Sequence, residues 1–220
     1  MSDKPTIAVI GGTGAEGSGL AFRLAHAGHA VVIGSRDAAK AQATAAELNA
    51  ALGTDAVRGA RSDEAAAEAS IVLLTVPYAA QQATALDLKD QLRGKILVDA
   101  TVPLVPPKVG RVQLPEGGSA VAQLQLLLGD EVKVVAAFQN VSAHHLKDLG
   151  HSIDCDVLVC ADDVAAAETV IGLAKAIGLS AYYAGPVANS AAVEALTSVL
   201  ITINRRHKVA GSGIRITGLG

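Results

Sequence analysis

A doubly wound α/β fold, with a parallel sheet between helical layers, is what this 220-residue sequence predicts. Three observations carry the prediction. Short apolar runs alternate with segments of helical period six times before residue 140, the order expected of a parallel sheet with right-handed crossovers. Most of those runs are apolar throughout instead of alternating with polar residues, which marks strands buried on both faces. The turn after the first run is glycine-rich and leads into an amphipathic helix.

In chain order, Ile7 to Ile10 is the first strand, followed by Gly12-Thr13-Gly14-Ala15-Glu16-Gly17. A helix then presents Gly17, Leu20, Ala21, Leu24, Ala25 and Gly28 on one face, before a second strand over Ala30 to Ile33. This G-x-G-x-x-G sits between strand and helix, the context in which the motif binds a dinucleotide and the fold is of Rossmann type. Gly12 permits the tight turn, Gly14 lets the backbone approach a pyrophosphate, and Gly17 lets helix and strand pack closely. The helix N-terminus supplies free N–H groups and a positive dipole end for the phosphates.

The end of the second strand selects the dinucleotide. An NAD site places a carboxylate there for the ribose 2′-OH. This chain places Ser35 and Arg36 there, with Lys40 one helical turn on, which suits the 2′-phosphate of NADP(H). Asp37 reads as the N-cap of a helix from Ala38 to Leu52 rather than a ribose ligand.

A third strand is expected around Ala56 to Ala60, a brief helix over Asp63 to Ala69, and a fourth strand at Ile71 to Leu74, ending in Thr75-Val76-Pro77. Tyr78 to Leu92 reads as one helix and Lys95 to Val98 as the fifth strand, ending in Thr101-Val102-Pro103. Pro103 to Gly118 holds four prolines and three glycines and is expected to be loop. A helix over Ser119 to Leu128 leads to the sixth strand, Val132 to Phe138. The dinucleotide-binding domain is placed at 1–140, and 141–220 as a small C-terminal α/β addition. That addition has strands at Asp156 to Cys160 and Leu179 to Tyr183, helices at Asp163 to Ile177 and Asn189 to about His207, and a Gly211-Ser212-Gly213 tail.

Ligands of open α/β sheets lie at the carboxyl ends of the strands. The two Thr-Val-Pro phrases are therefore expected to line the nicotinamide side, with threonine hydroxyls on offer. Gln139 and Asn140, in the segment to Ala143, would complete the pocket with amides. No Tyr-x-x-x-Lys pair is present, and nothing fixes the direction of His144 or His145, so no catalytic acid or base is assigned. Hydride transfer between two cofactors requires positioning and no general acid, and fits that gap. His144, His145, His151 and Cys155 match no metal-site spacing, and no metal is expected.

Composition narrows the class further. With 18 Lys and Arg against 21 Asp and Glu, the net charge of −3 disfavours nucleic acid or an anionic membrane as a partner. No leader-like opening and no apolar run of membrane-spanning length is read, so the expected location is the cytoplasm. Cys155 and Cys160 read as reduced core thiols on opposite faces of one strand. Two Phe, three Tyr and no Trp mean that any planar ligand is held by backbone and aliphatic walls. The run Ala191 to Ile203 is apolar nearly all round, which points to a subunit interface. The cationic Asn204-Arg205-Arg206-His207-Lys208 segment suits the negative end of that helix's dipole, and alternatively an anionic ligand tail.

With these residues in hand, the chain resembles the NADPH-dependent coenzyme F420 reductases, also called F420H2:NADP oxidoreductases. The likeness rests on IAVIGGTGAEGSGLAFRLAHAGHAVVIGSR with Lys40, VLLTVPY, VDATVPL, DVLVCADD, AGPVANSAAVEALT and GSGIRI, nearly the whole length. The resemblance implies a Rossmann domain with a small C-terminal domain, usually as a homodimer, passing a hydride between NADP(H) and the deazaflavin F420. It implies that Thr13, Gly14, Ala15 and Glu16 meet the pyrophosphate and that Ser35, Arg36 and Lys40 meet the 2′-phosphate. Val76, Ala80, Val102, Ala143 and the Ser212–Gly213 turn would surround nicotinamide and deazaflavin. Gln139 departs from the His of archaeal members. Glu16 places a carboxylate beside phosphates and is expected to point to solvent. Alternative readings are an NADPH-dependent reductase of a flavin or small carbonyl acceptor, and a non-catalytic NADP(H)-binding protein.

Overall fold

A computed structural model describes residues 4–219. Eight strands form one sheet in the order β3-β2-β1-β4-β5-β6-β7-β8. They are β1 (Ile7–Ile10), β2 (Val31–Ser35), β3 (Val57–Arg61), β4 (Ile71–Leu74), β5 (Ile96–Asp99), β6 (Lys133–Ala136), β7 (Asp156–Ala161) and β8 (Ser180–Tyr183). The first six are parallel, and the order reverses between β1 and β4, where such sheets open a ligand crevice.

The two-residue period of the strands divides the core. Ile7, Val9, Ile33 and Leu73 face the layer of α1 (Ala15–His26), α2 (Ala38–Leu52) and α7 (Val164–Ala176). Ala8, Ile10, Val32 and Leu74 face α3 (Ser62–Glu68), α4 (Tyr78–Asp87), α5 (Lys89–Leu92), α6 (Ala120–Leu128) and α8 (Ser190–His207). Fully buried residues such as Leu20, Leu73 and Leu124 each contribute about 1.5–3 kcal/mol of burial.

One expectation is corrected, and the structure shows how the C-terminal addition joins the sheet. The helix expected over Tyr78 to Leu92 breaks at Leu88, whose backbone leaves the helical region. Leu88 and Leu92, on either side of the break, are both buried in the second core layer. The C-terminal strands also extend the main sheet. β7 runs antiparallel to β6 through Val135–Ala161 and Ala136–Cys160, and β8 pairs parallel to β7. The long connection from 137 to 155 permits that reversal, and the first core layer continues from Val135 to Val157 without interruption.

Cys155 lies just before β7, and Cys160 within it; both are buried and free. Burial pushes the Cys160 thiol up to about 11. Val187–His207 has a mean hydropathy of 1.3, a length and composition sufficient to cross a bilayer by themselves. In the fold this segment instead buries Val193, Glu194, Ser198 and Leu200 against the rest of the chain.

Candidate active site

The site begins with the four residues between β1 and α1. Gly12 N–H donates to Val9 O at 3.2 Å and Gly14 N–H to Gly11 O at 2.9 Å, closing the turn. Gly14 is the N-cap of α1, and no side chain caps that helix. Its first N–H groups therefore stand at the cleft with the positive dipole end behind them. Gly14 is open on that side: a Cβ there would meet only Gly11 O, at 3.4 Å. Gly17 is closed: a Cβ would strike the Thr75 hydroxyl and lie 2.8 Å from Gly11 O. Gly12 and Gly17 thus shape the turn from beneath, while Thr13, Gly14, Ala15 and Glu16 line the cleft.

At the end of β2, Ser35, Arg36 and Lys40 line the same cleft. Asp37 is spent locally. Its carboxylate accepts the Lys40 N–H at 3.2 Å as the N-cap of α2, and its own N–H donates to Ser35 Oγ at 3.2 Å. Among the described residues, Arg36 and Lys40 form no ion pair with a carboxylate. Two unneutralised cations beside an uncapped helix N-terminus fit a ligand carrying both a pyrophosphate and a further phosphate.

The cleft encloses about 850 Å³ and continues across the ends of β4, β5 and β6. Thr75, Val76, Pro77, Ala80, Val102, Gln139 and Ala143 all line it. The threonine hydroxyls are not on offer. Thr75 Oγ1 donates to Ile10 O at 3.0 Å, and Thr101 Oγ1 reaches Val76 O at 3.5 Å. Gln139, which is 3% exposed, offers a polar atom: its Nε2 donates to Asp99 O at 2.7 Å, while Oε1 has no partner among the described residues.

Three residues expected in the pocket lie elsewhere. Asn140 turns back, its Nδ2 donating to Asp156 O at 2.8 Å, because that bond joins the loop to β7. Ser212 N–H donates to Asn204 Oδ1 at 2.8 Å, and a Cβ on Gly213 would lie 2.6 Å from Cys155 Cβ. The tail thus packs behind the 140–155 loop, off the cleft. His145 stacks on His151 with ring centroids 3.9 Å apart, while Cys155 is buried beneath Gly213.

Two carboxyl groups with raised pKa values adjoin the cleft. Asp99, fully buried, accepts from Thr101 N–H at 2.8 Å and from Gln81 Nε2 at 2.5 Å. Burial raises its pKa to about 6 against those hydrogen bonds. Glu16 does not point to solvent as expected. It is half-buried in the cleft wall, and desolvation with repulsion from Asp99 raises it to about 8. A neutral Glu16 removes the conflict with phosphates that its charge would create.

Sequence reasoning missed Ser62, Tyr78, Thr84, Leu104 and Thr197 in the lining. Tyr78 directly follows Pro77, and its place after a strand-ending turn was a usable signal. Thr197 arrives on α8, where its hydroxyl donates to Gln139 O at 2.7 Å across 58 positions. No local pattern announces that contact.

Comparison with known proteins fits this geometry. Residues 6–103 match the family described as NADP oxidoreductase coenzyme F420-dependent. The F420-dependent NADP reductase of Methanothermobacter thermautotrophicus is 43% identical over 97% of this chain and 95% of its own. The chain belongs to this family. The F420-dependent NADP reductase of Methanocaldococcus jannaschii is 42% identical over 97% of this chain and 98% of its own. A crystal structure of a candidate F420-dependent NADP reductase from Arthrobacter sp. FB24 superposes with a TM-score of 0.82 at 29% identity, covering 97% of this chain and all of the other. In this family member, the elements around the cleft, from the glycine loop to α8, fall within the aligned length.

Proposed function

We propose that this protein transfers a hydride between NADP(H) and the deazaflavin coenzyme F420. One observation carries the reading. A single cleft joins an uncapped helix N-terminus and the unpaired Arg36 and Lys40 to an apolar floor formed by Val76, Ala80, Val102, Val141 and Ala143.

The dihydronicotinamide, when bound, supplies the hydride; the protein binds, orients and shields. The N–H groups of Thr13, Ala15 and Glu16 at the start of α1 would hold the pyrophosphate, the Gly14 N–H being kept in the turn by Gly11 O, and neutral Glu16 leaves that anion unopposed. Arg36 pairs with the 2′-phosphate, with Lys40 and Ser35 beside it. The aliphatic floor excludes water and would hold the two cofactor rings in proximity, on which hydride transfer depends. Gln139 Oε1, lacking a protein donor, accepts a hydrogen bond from a ring N–H or carboxamide in the cleft.

In this reading residues 1–140 bind NADP(H), and residues 141–220 complete the acceptor pocket and carry a homodimer surface. Val199 and Ile203 on α8 and Val209 just beyond it support that surface, since they are exposed. The protein acts on small molecules in the cytoplasm.

The test is NADPH oxidation by the purified protein with coenzyme F420, followed by deazaflavin absorbance, with FMN and NADH as controls. Turnover with F420 and NADPH, and little with either control, is the expected result. Turnover with FMN and none with F420 would replace the acceptor and leave the NADP(H) site standing.

A further inference from the structure

Arg23 sits near the end of α1, remote from the phosphate end of the helix, and is 8% exposed. An arginine in the last turn of a helix ordinarily complements the dipole from solvent. This one is buried without a carboxylate in ion-pair distance among the described residues. Its guanidinium instead gathers main-chain carbonyls. Nε donates to Leu146 O at 2.9 Å, and Nη2 reaches His145 O at 3.2 Å, Asp148 O at 2.8 Å and His151 O at 3.1 Å. Nη1 reaches Ile177 O at 3.4 Å, at the end of α7. Four of these five acceptors belong to one segment, the connection between β6 and β7.

A second, independent feature grips the same segment. Gly19 lies one helical turn before Arg23 on the same face of α1, and Leu146 presses into the space it leaves. A Cβ at 19 would lie within 3.0 Å of Leu146 Cδ1 and closer still to its Cβ. One turn earlier on that face, Ala15 lines the cleft. On the opposing segment, Leu146 closes the 3₁₀ turn that begins at Ala143, itself a cleft residue. The stripe Ala15–Gly19–Arg23 therefore runs from the phosphate end of the cleft to the base of its far wall.

We propose that Arg23 is a positioning residue: by clamping the carbonyls of 145–151 onto α1, it fixes Ala143, Val141 and Gln139 relative to the cofactor helix. The inference rests on the reading of that wall as the acceptor side. Burial costs the cation its hydration, and the five carbonyl dipoles replace it. Burial also lowers the Arg23 pKa, yet guanidinium remains charged in proteins. Lysine keeps the charge but lacks the planar fork needed to hold several acceptors at once.

The experiment compares wild type with Arg23→Lys and Arg23→Ala. NADPH affinity is read by fluorescence titration, KM and kcat are read with F420 as the varied substrate, and both are repeated with added methylguanidinium. The expected result is a KM for F420 raised about tenfold or more, an NADPH Kd within about twofold of wild type, and partial recovery of Arg23→Ala by methylguanidinium. Equal loss in both parameters, or no loss, would overturn the proposal.

Amide hydrogen exchange of Arg23→Lys supplies a readout that needs no acceptor and survives if Arg23→Ala does not fold. Faster exchange confined to 141–151, with β1, α1 and β4 unchanged, is expected. Unchanged exchange there, or faster exchange throughout, would overturn the clamp. If wild type fails to turn over F420 while this exchange pattern holds, the acceptor assignment fails and the clamp stands.

Discussion

On the cofactor side of the cleft, Asp37 caps α2 from three residues away. On the acceptor side, Glu194 caps α6 from 74 residues away, taking the N–H groups of Ala120 and Val121 at 2.8 and 3.1 Å and the Ser119 hydroxyl at 2.7 Å. The same device, a carboxylate on a helix N-terminus, is local in one wall and long-range in the other. The contrast recurs throughout. The glycine turn closes within itself and the 2′-phosphate cradle spans six positions, whereas the 140–155 loop is held by Arg23, Asp156, Thr197 and the chain's tail. A wall of local contacts can form as its segment forms. A wall of distant contacts exists only when the whole domain is folded, so one substitution there should reach further.

The largest expected effect tests that difference directly. Glu194→Ala strands the buried N–H groups of Ala120 and Val121, each costing about 1–3 kcal/mol when unpaired, while Ser119 Oγ keeps Ser190 Oγ at 2.6 Å, so a loss of about 2–6 kcal/mol is expected in urea unfolding. Burial raises the Glu194 pKa while its hydrogen bonds lower it, consistent with a group placed for capping. A loss near 1 kcal/mol would mean that this distant cap is worth no more than a local one.

Next in size is Arg36→Ala. Losing a charge-assisted pair of about 1.5–3 kcal/mol predicts NADPH binding weaker by roughly 10- to 150-fold, with NADH binding little changed. Equal weakening of both would detach Arg36 from the 2′-phosphate and remove the clearest function of the local wall.

The asymmetry also explains what was legible in the sequence. Most residues from Gly12 to Lys40 that line or shape the cofactor side have their partners close by in sequence, so spacing alone revealed their role; Gly17, packed against Thr75, and Glu16, near Asp99, are exceptions. Fully apolar runs marked the parallel strands for the same reason: burial on both faces leaves a local trace. The reversal between β6 and β7, the turning of Asn140 toward β7 and the arrival of Thr197 depend on partners 16 to 58 positions away. The Ser212–Gly213 turn was placed at the pocket by family resemblance; the close approach of Gly211 and Gly213 is to Ser142 and Cys155. Glu16 was legible in position but not in charge, since its raised pKa comes first from burial in the cleft wall and then from Asp99, brought near by the sheet.

That pairing yields a pH prediction. Glu16 is raised to about 8, so the folded protein favours its protonated form. The stability from that preference is complete below the ordinary glutamate value and is lost as pH rises through about 8. NADPH binding should weaken in the same range, because ionised Glu16 repels phosphate; a decline of up to about tenfold per pH unit above that point is the limiting expectation. Glu16→Gln should flatten both profiles. A wild-type profile that is flat to about pH 9 would return Glu16 to solvent, as the sequence alone suggested.

The smallest effect belongs to Asp37→Ala, and it sharpens the comparison because its chemistry matches that of Glu194. Asp37 is exposed, its cap satisfies one N–H, and water can replace it, so a loss of about 1 kcal/mol is expected on thermal or urea unfolding. NADPH affinity should change little or rise slightly, since a negative charge beside Arg36 and Lys40 is removed. A substantial fall in NADH or NADPH affinity would instead make Asp37 a ribose ligand. With Asp37 acting only as a cap, the local wall divides its labour within six positions: one carboxylate for the helix, two cations for the ligand.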